Sequence, residues 1–178
     1  MTLAWPHSDG IEADIAVSPS GHVAAGQWAE VLNPFGRAHA AGTDLNQAIE
    51  SDPAQGAELL ASLIADTKRE IALAIAQGAI GIAYRLVGAA PAHCTPMQFG
   101  GHYLEEEREL LAEVGVPVLV FVEGEDIYFE FVSDLPSAYM GWDVTRNQLT
   151  LAEARTYREG AFALAADDAD LKIVGEAA

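Results

Sequence analysis

An arginine directly after an apolar run is the sharpest chemical feature of this chain: residues 79–86 read Ala-Ile-Gly-Ile-Ala-Tyr-Arg-Leu. A guanidinium in that setting must find a carboxylate or water. Arg85, with Tyr84 beside it, can grip a ligand carboxylate through two parallel hydrogen bonds. It can equally form a structural pair with Glu123 or Asp143, the commoner fate of a charge near a core. Glu123 and Asp126 follow a second apolar run, and Trp142, Asp143 and Arg146 follow a third. Asp143 has the chemistry of an acid or a base, and also of a residue that caps the next turn. His93-Cys94 brings an imidazole and a thiol together. Adjacent ligands make poor metal geometry, and zinc would need two more, for which Glu123 and Asp126 are the obvious offers. No metal and no cofactor is expected. Cys94 stands one residue before a helix cap, a setting that can lower a thiol pKa. A lone cysteine is more often a small buried apolar residue.

These residues fall on a recurring pattern of elements. Ser51 or Asp52 can cap a helix with Pro53 at its first position. Leu59, Leu60, Leu63, Ile64, Ile71 and Ile75 recur at helical spacing until Gln77-Gly78. Ala79–Leu86 follows as a strand. Thr95-Pro96-Met97-Gln98 has the form of a capping box, starting a helix that runs to Gly115. That helix sets Phe99, Tyr103, Leu110, Leu111 and Val114 on one side, and its Glu105–Glu113 cluster reads as a solvated face. Residues 116–122 are continuously apolar, as a strand covered on both faces should be. A short helix over 125–133, a strand over 137–142, a helix over 149–158 and a strand over 161–165 complete the series. The chain reads as a single domain over 1–178, with βα units over 51–171. Residues 1–50 read as an irregular N-terminal part, with a short strand over 13–18, a short helix or irregular segment over 22–32, and a turn at Asn33–Gly36.

Strands alternating with helices imply parallel βα units. A closed eightfold barrel needs about 250 residues, and this chain has 178. The expected fold is therefore α/β, with parallel βα units forming a partial, truncated barrel-like sheet. A parallel sheet rarely leaves a face uncovered, which favours a homodimer.

The formal net charge is −18 and the only lysines are Lys68 and Lys172. Neither nucleic-acid phosphates nor an anionic membrane surface suits such a chain. One cysteine excludes a disulfide framework. Residues 71–90 are apolar enough to raise the question of a membrane span, but the period changes midway and Gln77, three glycines and Arg85 interrupt it. With no secretory signal legible at the N-terminus, the cytoplasm is the expected compartment. No nucleophile elbow, phosphate loop, dinucleotide fingerprint or metalloprotease motif occurs.

Four pieces, in order, resemble the later half of the uroporphyrinogen decarboxylase family, over roughly 52–171. Residues 76–82, Ala-Gln-Gly-Ala-Ile-Gly-Ile, are similar to its "aGAdgi" passage from helix to strand. Thr95-Pro96-Met97-Gln98-Phe99 resembles its "SPEqF" helix start, and residues 116–120 its "vPvil" strand. Trp142-Asp143 followed by Leu151-Ala152-Glu153-Ala154-Arg155 resembles its strand-end aspartate and "l.ear" segment. The resemblance implies a barrel-type fold with a pocket at the carboxyl ends of the strands, where Asp143 would accept from pyrrole N–H groups. The departures are specific. The family's arginine-rich N-terminal segment and early catalytic aspartate have no counterpart here. Where its methyltransferases place a His-x-Cys zinc pair, this chain reads Phe121-Val122-Glu123-Gly124. Its "GNldp" segment is replaced by 165–170, Ala-Ala-Asp-Asp-Ala-Asp.

Three readings follow. In the first, a catalytically degenerate relative binds a small anionic or tetrapyrrole-like ligand through Tyr84, Arg85, Glu123, Trp142 and Arg146. In the second, a decarboxylase or methyltransferase-related enzyme survives, with Asp143 as acid or base and Arg85 as anchor. In the third, the chain is a non-enzymatic dimeric interaction protein.

Overall fold

The computed structural model describes residues 17–18, 26–166 and 169–174. Seven strands form one sheet in chain order: β1 (Val17–Ser18), β2 (Trp28–Leu32), β3 (Gly81–Leu86), β4 (Val118–Val122), β5 (Tyr139–Asp143), β6 (Ala161–Ala166) and β7 (Ala169–Val174). Neighbours from β1 to β6 run parallel, and β7 turns back antiparallel to β6. Between β2 and β3 lie α1 (Pro34–Ala40), α2 (Leu45–Ser51) and α3 (Pro53–Ala76); between β3 and β4, α4 (Pro96–His102) and α5 (Leu104–Ala112). The next two crossovers carry α6 (Phe129–Val132) and α7 (Leu151–Tyr157). Strand order that follows chain order is the winding of a βα barrel, without the reversal of a doubly wound sheet. The fold is an open portion of such a barrel.

Alternation assigns each strand residue to a face. Ile82, Tyr84 and Leu86, with Val118, Val120, Val122, Met140 and Trp142, join the main core together with Leu60, Ile71, Phe99 and Leu110 of the helices. The residues between them point the other way, where Trp28, Leu119, Phe121, Ala163 and Ala165 form a smaller cluster. A Cβ on Gly141 would lie 2.4 Å from the Ala163 carbonyl oxygen, so no larger residue fits.

The caps follow the chemistry of the sequence. Asp52 accepts from the Gln55 N–H and opens the 24-residue α3, and Thr95 and Gln98 form both halves of the capping box. Five expectations are corrected. Residues 28–51 are regular, forming β2, α1 and α2, where an irregular part was expected. Trp28–Leu32 is a strand and not a helix, because its five-residue pairing with β3 overrides a local pattern too short to announce itself. Asn33–Gly36 starts a helix: Asn33 Oδ1 accepts from the Gly36 N–H and Pro34 fills the first turn, so the "turn" dipeptide is a cap. The helix expected from Thr95 to Gly115 breaks at Tyr103 (φ −123°, ψ −34°), just after the poor helix formers Gly100 and Gly101. The strand over 161–165 is followed by β7, so the sheet is not wholly parallel. The beginning of the expected strand at 13–18, the N-terminal signal question, and His22 lie outside the described residues. Among the described residues no helix is long and apolar enough to cross a membrane.

Candidate functional site

Period-two alternation divides the sequence-predicted residues into two groups. Arg85, Glu123 and Asp143 sit on the face away from the helices, at the carboxyl ends of their strands, where sheets of this class hold ligands. Tyr84 and Trp142 sit on the helix side and are fully buried. Trp142 packs edge-on against Phe129 and Phe162, at 5.1 and 5.7 Å between ring centroids. It is a core residue.

Arg85 does not stand alone. Its Nε donates to Glu123, and its Nη1 donates to Glu30 Oε1 at 2.9 Å. All three side chains are partly buried. Burial alone would lower the Arg85 pKa, but the two carboxylates outweigh it and hold the guanidinium charged. Glu30, from the stretch expected to be irregular, was not a candidate in the sequence. It became visible only once β2 was placed beside β3.

Asp143 is committed to its own turn. Its Oδ1 accepts from the Thr145 N–H at 2.8 Å and hydroxyl at 2.6 Å, and its Oδ2 lies 3.5 Å from Arg146 Nε. Arg146 is exposed, and so is Asp126, which adopts a left-handed φ of 53° in the loop after β4. Asn147 ties that loop to the next. Its side chain accepts from the Ile127 N–H and donates to the carbonyls of Gly124 and Asp143.

His93 and Cys94 separate in character. The Cys94 thiol is 2% exposed and rests 3.5 Å from Asn46 Nδ2. Burial pushes its pKa up, which keeps it a thiol and leaves it a packing residue. His93 is partly exposed and stands 4.9 Å from His39 between ring centroids. Burial and the neighbouring His39 lower the His93 pKa against the opposing pull of Glu123, so its imidazole is neutral at pH 7.

The acidic helix face hides one exception. Glu107 of α5 is 2% exposed while Glu105, Glu106, Glu109 and Glu113 face solvent. Its carboxyl accepts from the Tyr84 hydroxyl at 2.5 Å and from Asn33 Nδ2 at 2.7 Å. Asn33 also donates to the Val87 carbonyl and accepts the Val87 N–H, so one buried cluster joins the end of β2, β3 and α5. Burial raises the Glu107 pKa to about 7 against those two hydrogen bonds, and burial beside Glu107 raises that of Tyr84. The helical spacing did carry the signal: residue 107 falls four after Tyr103 and three before Leu110 on the apolar stripe.

No family model matches the chain, and no curated protein matches it. Among solved structures the chain is similar to a methyltransferase from Methanosarcina mazei, with a TM-score of 0.63 at 11% identity. The likeness covers 76% of this chain and 41% of that one, so the chain spans less than half of its neighbour's length. At that identity the likeness is one of fold, and it shows this chain to be an α/β protein wound as part of a βα barrel.

Proposed function

We propose that the chain is a uroporphyrinogen-decarboxylase-like partial barrel that holds a small tetrapyrrole-like ligand at the strand ends, without the family's transfer chemistry. The Arg85 cluster is the observation that carries this reading. It lies on the ligand side of the sheet, at the level where barrels of this winding bind. Arg85 Nε and Nη1 are taken by Glu123 and Glu30, while Nη2 has no hydrogen-bond partner among the described residues. One acceptor oxygen fits there, and the two carboxylates accept N–H groups. A pyrrole ring bearing an acid side chain offers both. With two carboxylates around one guanidinium the cluster is net negative, which favours a ligand with few anionic groups over one with many. The absence of the His-x-Cys pair at 121–124 supports the loss of zinc-thiolate methyl transfer. A reading in which Asp143 is an acid or base has less support, because its Oδ1 is occupied by Thr145. A second copy of the chain covers the open side of the sheet in this proposal.

The test is an absorbance titration of the purified protein with mesoporphyrin, a tetrapyrrole with two acid side chains, and, separately, with a corrinoid. Saturable binding is expected for the wild type, at least roughly tenfold weaker in Arg85→Ala, as the loss of one charge-assisted hydrogen bond requires. Binding of both compounds unaltered by Arg85→Ala would move the ligand elsewhere. No binding by the wild type would end the proposal and leave the fold.

A further inference from the structure

A groove of about 800 Å³ lies between the α1–α2 corner and the loop that leads from β3 into α4. It is a separate place from the Arg85 cluster, and its lining has a different chemistry. One wall is aromatic. Phe35 and His39 stack with their planes 9° apart at 6.5 Å, and His93 stands edge-on to both, at 6.0 and 4.9 Å. The rim is polar, with Asp44, Asn46 and Glu50 from the start and end of α2. Among the described residues no lysine or arginine lines the groove.

Each of these features selects against one kind of ligand and for another. Two carboxylates without a basic partner repel an anion, and the charge of −18 on the whole chain reinforces this. The imidazole of His93 is neutral at pH 7, so that ring does not answer a negative charge either. Asn46 is already engaged: its amide donates to the His93 carbonyl and accepts from the Tyr103 hydroxyl. Asn46 therefore fixes the loop that carries His93, while Asp44 and Glu50 are exposed: Asp44 Oδ1 accepts the Gln47 N–H and Glu50 Oε1 the Gln98 amide, and the second oxygen of each has no partner among the described residues. Flat π-surfaces beside solvent-facing acceptors suit a flat ring rich in N–H donors.

We infer that this groove is a second binding site, for a planar nitrogen heterocycle that carries N–H donors and a positive charge or none. The ring lies against His39 and His93, and its N–H edge reaches Asp44 and Glu50. The aromatic wall supplies shape and the carboxylates supply direction. The inference stands on the groove alone and does not depend on the ligand of the Arg85 cluster.

The probe is 2-aminobenzimidazole, a flat cation with N–H groups on one edge, followed through the imidazole resonances of the full chain by NMR. Benzoate serves as a flat anion and propylammonium as a cation without a ring. Saturable shifts of the His39 and His93 signals are expected with 2-aminobenzimidazole and not with the other two. Asp44→Asn keeps a side chain that caps α2 and removes the charge. Combined with Glu50→Gln it should weaken binding roughly tenfold, as the loss of charge-assisted hydrogen bonds predicts. His39→Ala, at an exposed position, should do the same, whereas Arg108→Ala, whose partners Glu105 and Asp134 lie outside the groove, should change nothing. Equal binding of benzoate, indifference to the Asp44→Asn/Glu50→Gln pair, or an absence of shifts would each overturn the inference. The porphyrin absorbance reads the strand-end cluster and the imidazole shifts read the groove, so failure there and failure here are distinguishable.

Discussion

Glu107 is the residue whose environment is least ordinary. A carboxyl with almost no exposure, two hydrogen bonds and no cation paired with it among the described residues sits at a balance between burial and solvation by Tyr84 and Asn33. Its folded pKa of about 7 stands above the ordinary 4.5. Between those values the folded chain keeps a proton that the unfolded chain has released, so stability falls as pH rises through that window and the contribution is gone above it. The groups near this cluster are Arg37 on α1, which Glu70 of α3 pairs, and Glu106 on α5 itself. Urea unfolding at pH 5 and pH 8 should show the wild type more stable at the lower pH, by an amount on the order of 3 kcal/mol from this residue. Glu107→Gln should remove most of that difference. Parallel pH dependence in the two proteins would mean that Glu107 is ionised throughout. Reading the Glu105–Glu113 cluster as one solvated face takes in position 107 only by its range, because composition speaks of a whole helix face and only the stripe of Tyr103 and Leu110 distinguishes that position. Arg85 shows the converse. Its pairing with Glu123 was legible as an alternative, since both follow apolar strands, whereas Glu30 depended on a strand that local pattern did not reveal.

At the scale of elements, close packing of helices decides the outcome of a simple substitution. Gly56 lies in the first turns of α3, where alanine would ordinarily stabilise a helix by about 1 kcal/mol. Here an added Cβ would meet the Ile49 backbone at 2.4 Å, and α2 and α3 would have to separate. Overpacking of that kind costs about 1–3 kcal/mol, so steric conflict wins and Gly56→Ala should lower the melting temperature. A rise instead would show that the α2–α3 corner yields easily. Asp52→Ala removes the side-chain cap of the same helix and should cost about 1 kcal/mol, measured by denaturant midpoint. The long helix and the caps were legible because their signals are local: proline at the first position, an acid before it, an apolar stripe beyond. The strand at 28–32 and the break at Tyr103 were not, because one rests on pairing with residues more than fifty positions away and the other on how two short helices pack.

For the whole molecule, the open sheet and the charge make opposing demands. Covering the unclosed side calls for a second copy, while two chains of −18 repel each other. A homodimer should therefore tighten as salt rises over the range in which screening becomes effective. Sedimentation at low and at about 0.3 M salt tests this; a monomer at both would remove the dimer from the proposal. The winding itself was legible from the alternation of strands and helices, but β7 was not, since alternation predicts only parallel neighbours. That last strand bears on how the sheet can be extended. Here β7 runs against β6 and holds the edge of the sheet on that side. The parallel winding therefore closes off in a hairpin, and a further βα unit could pair with β6 only if β7 gave up its place.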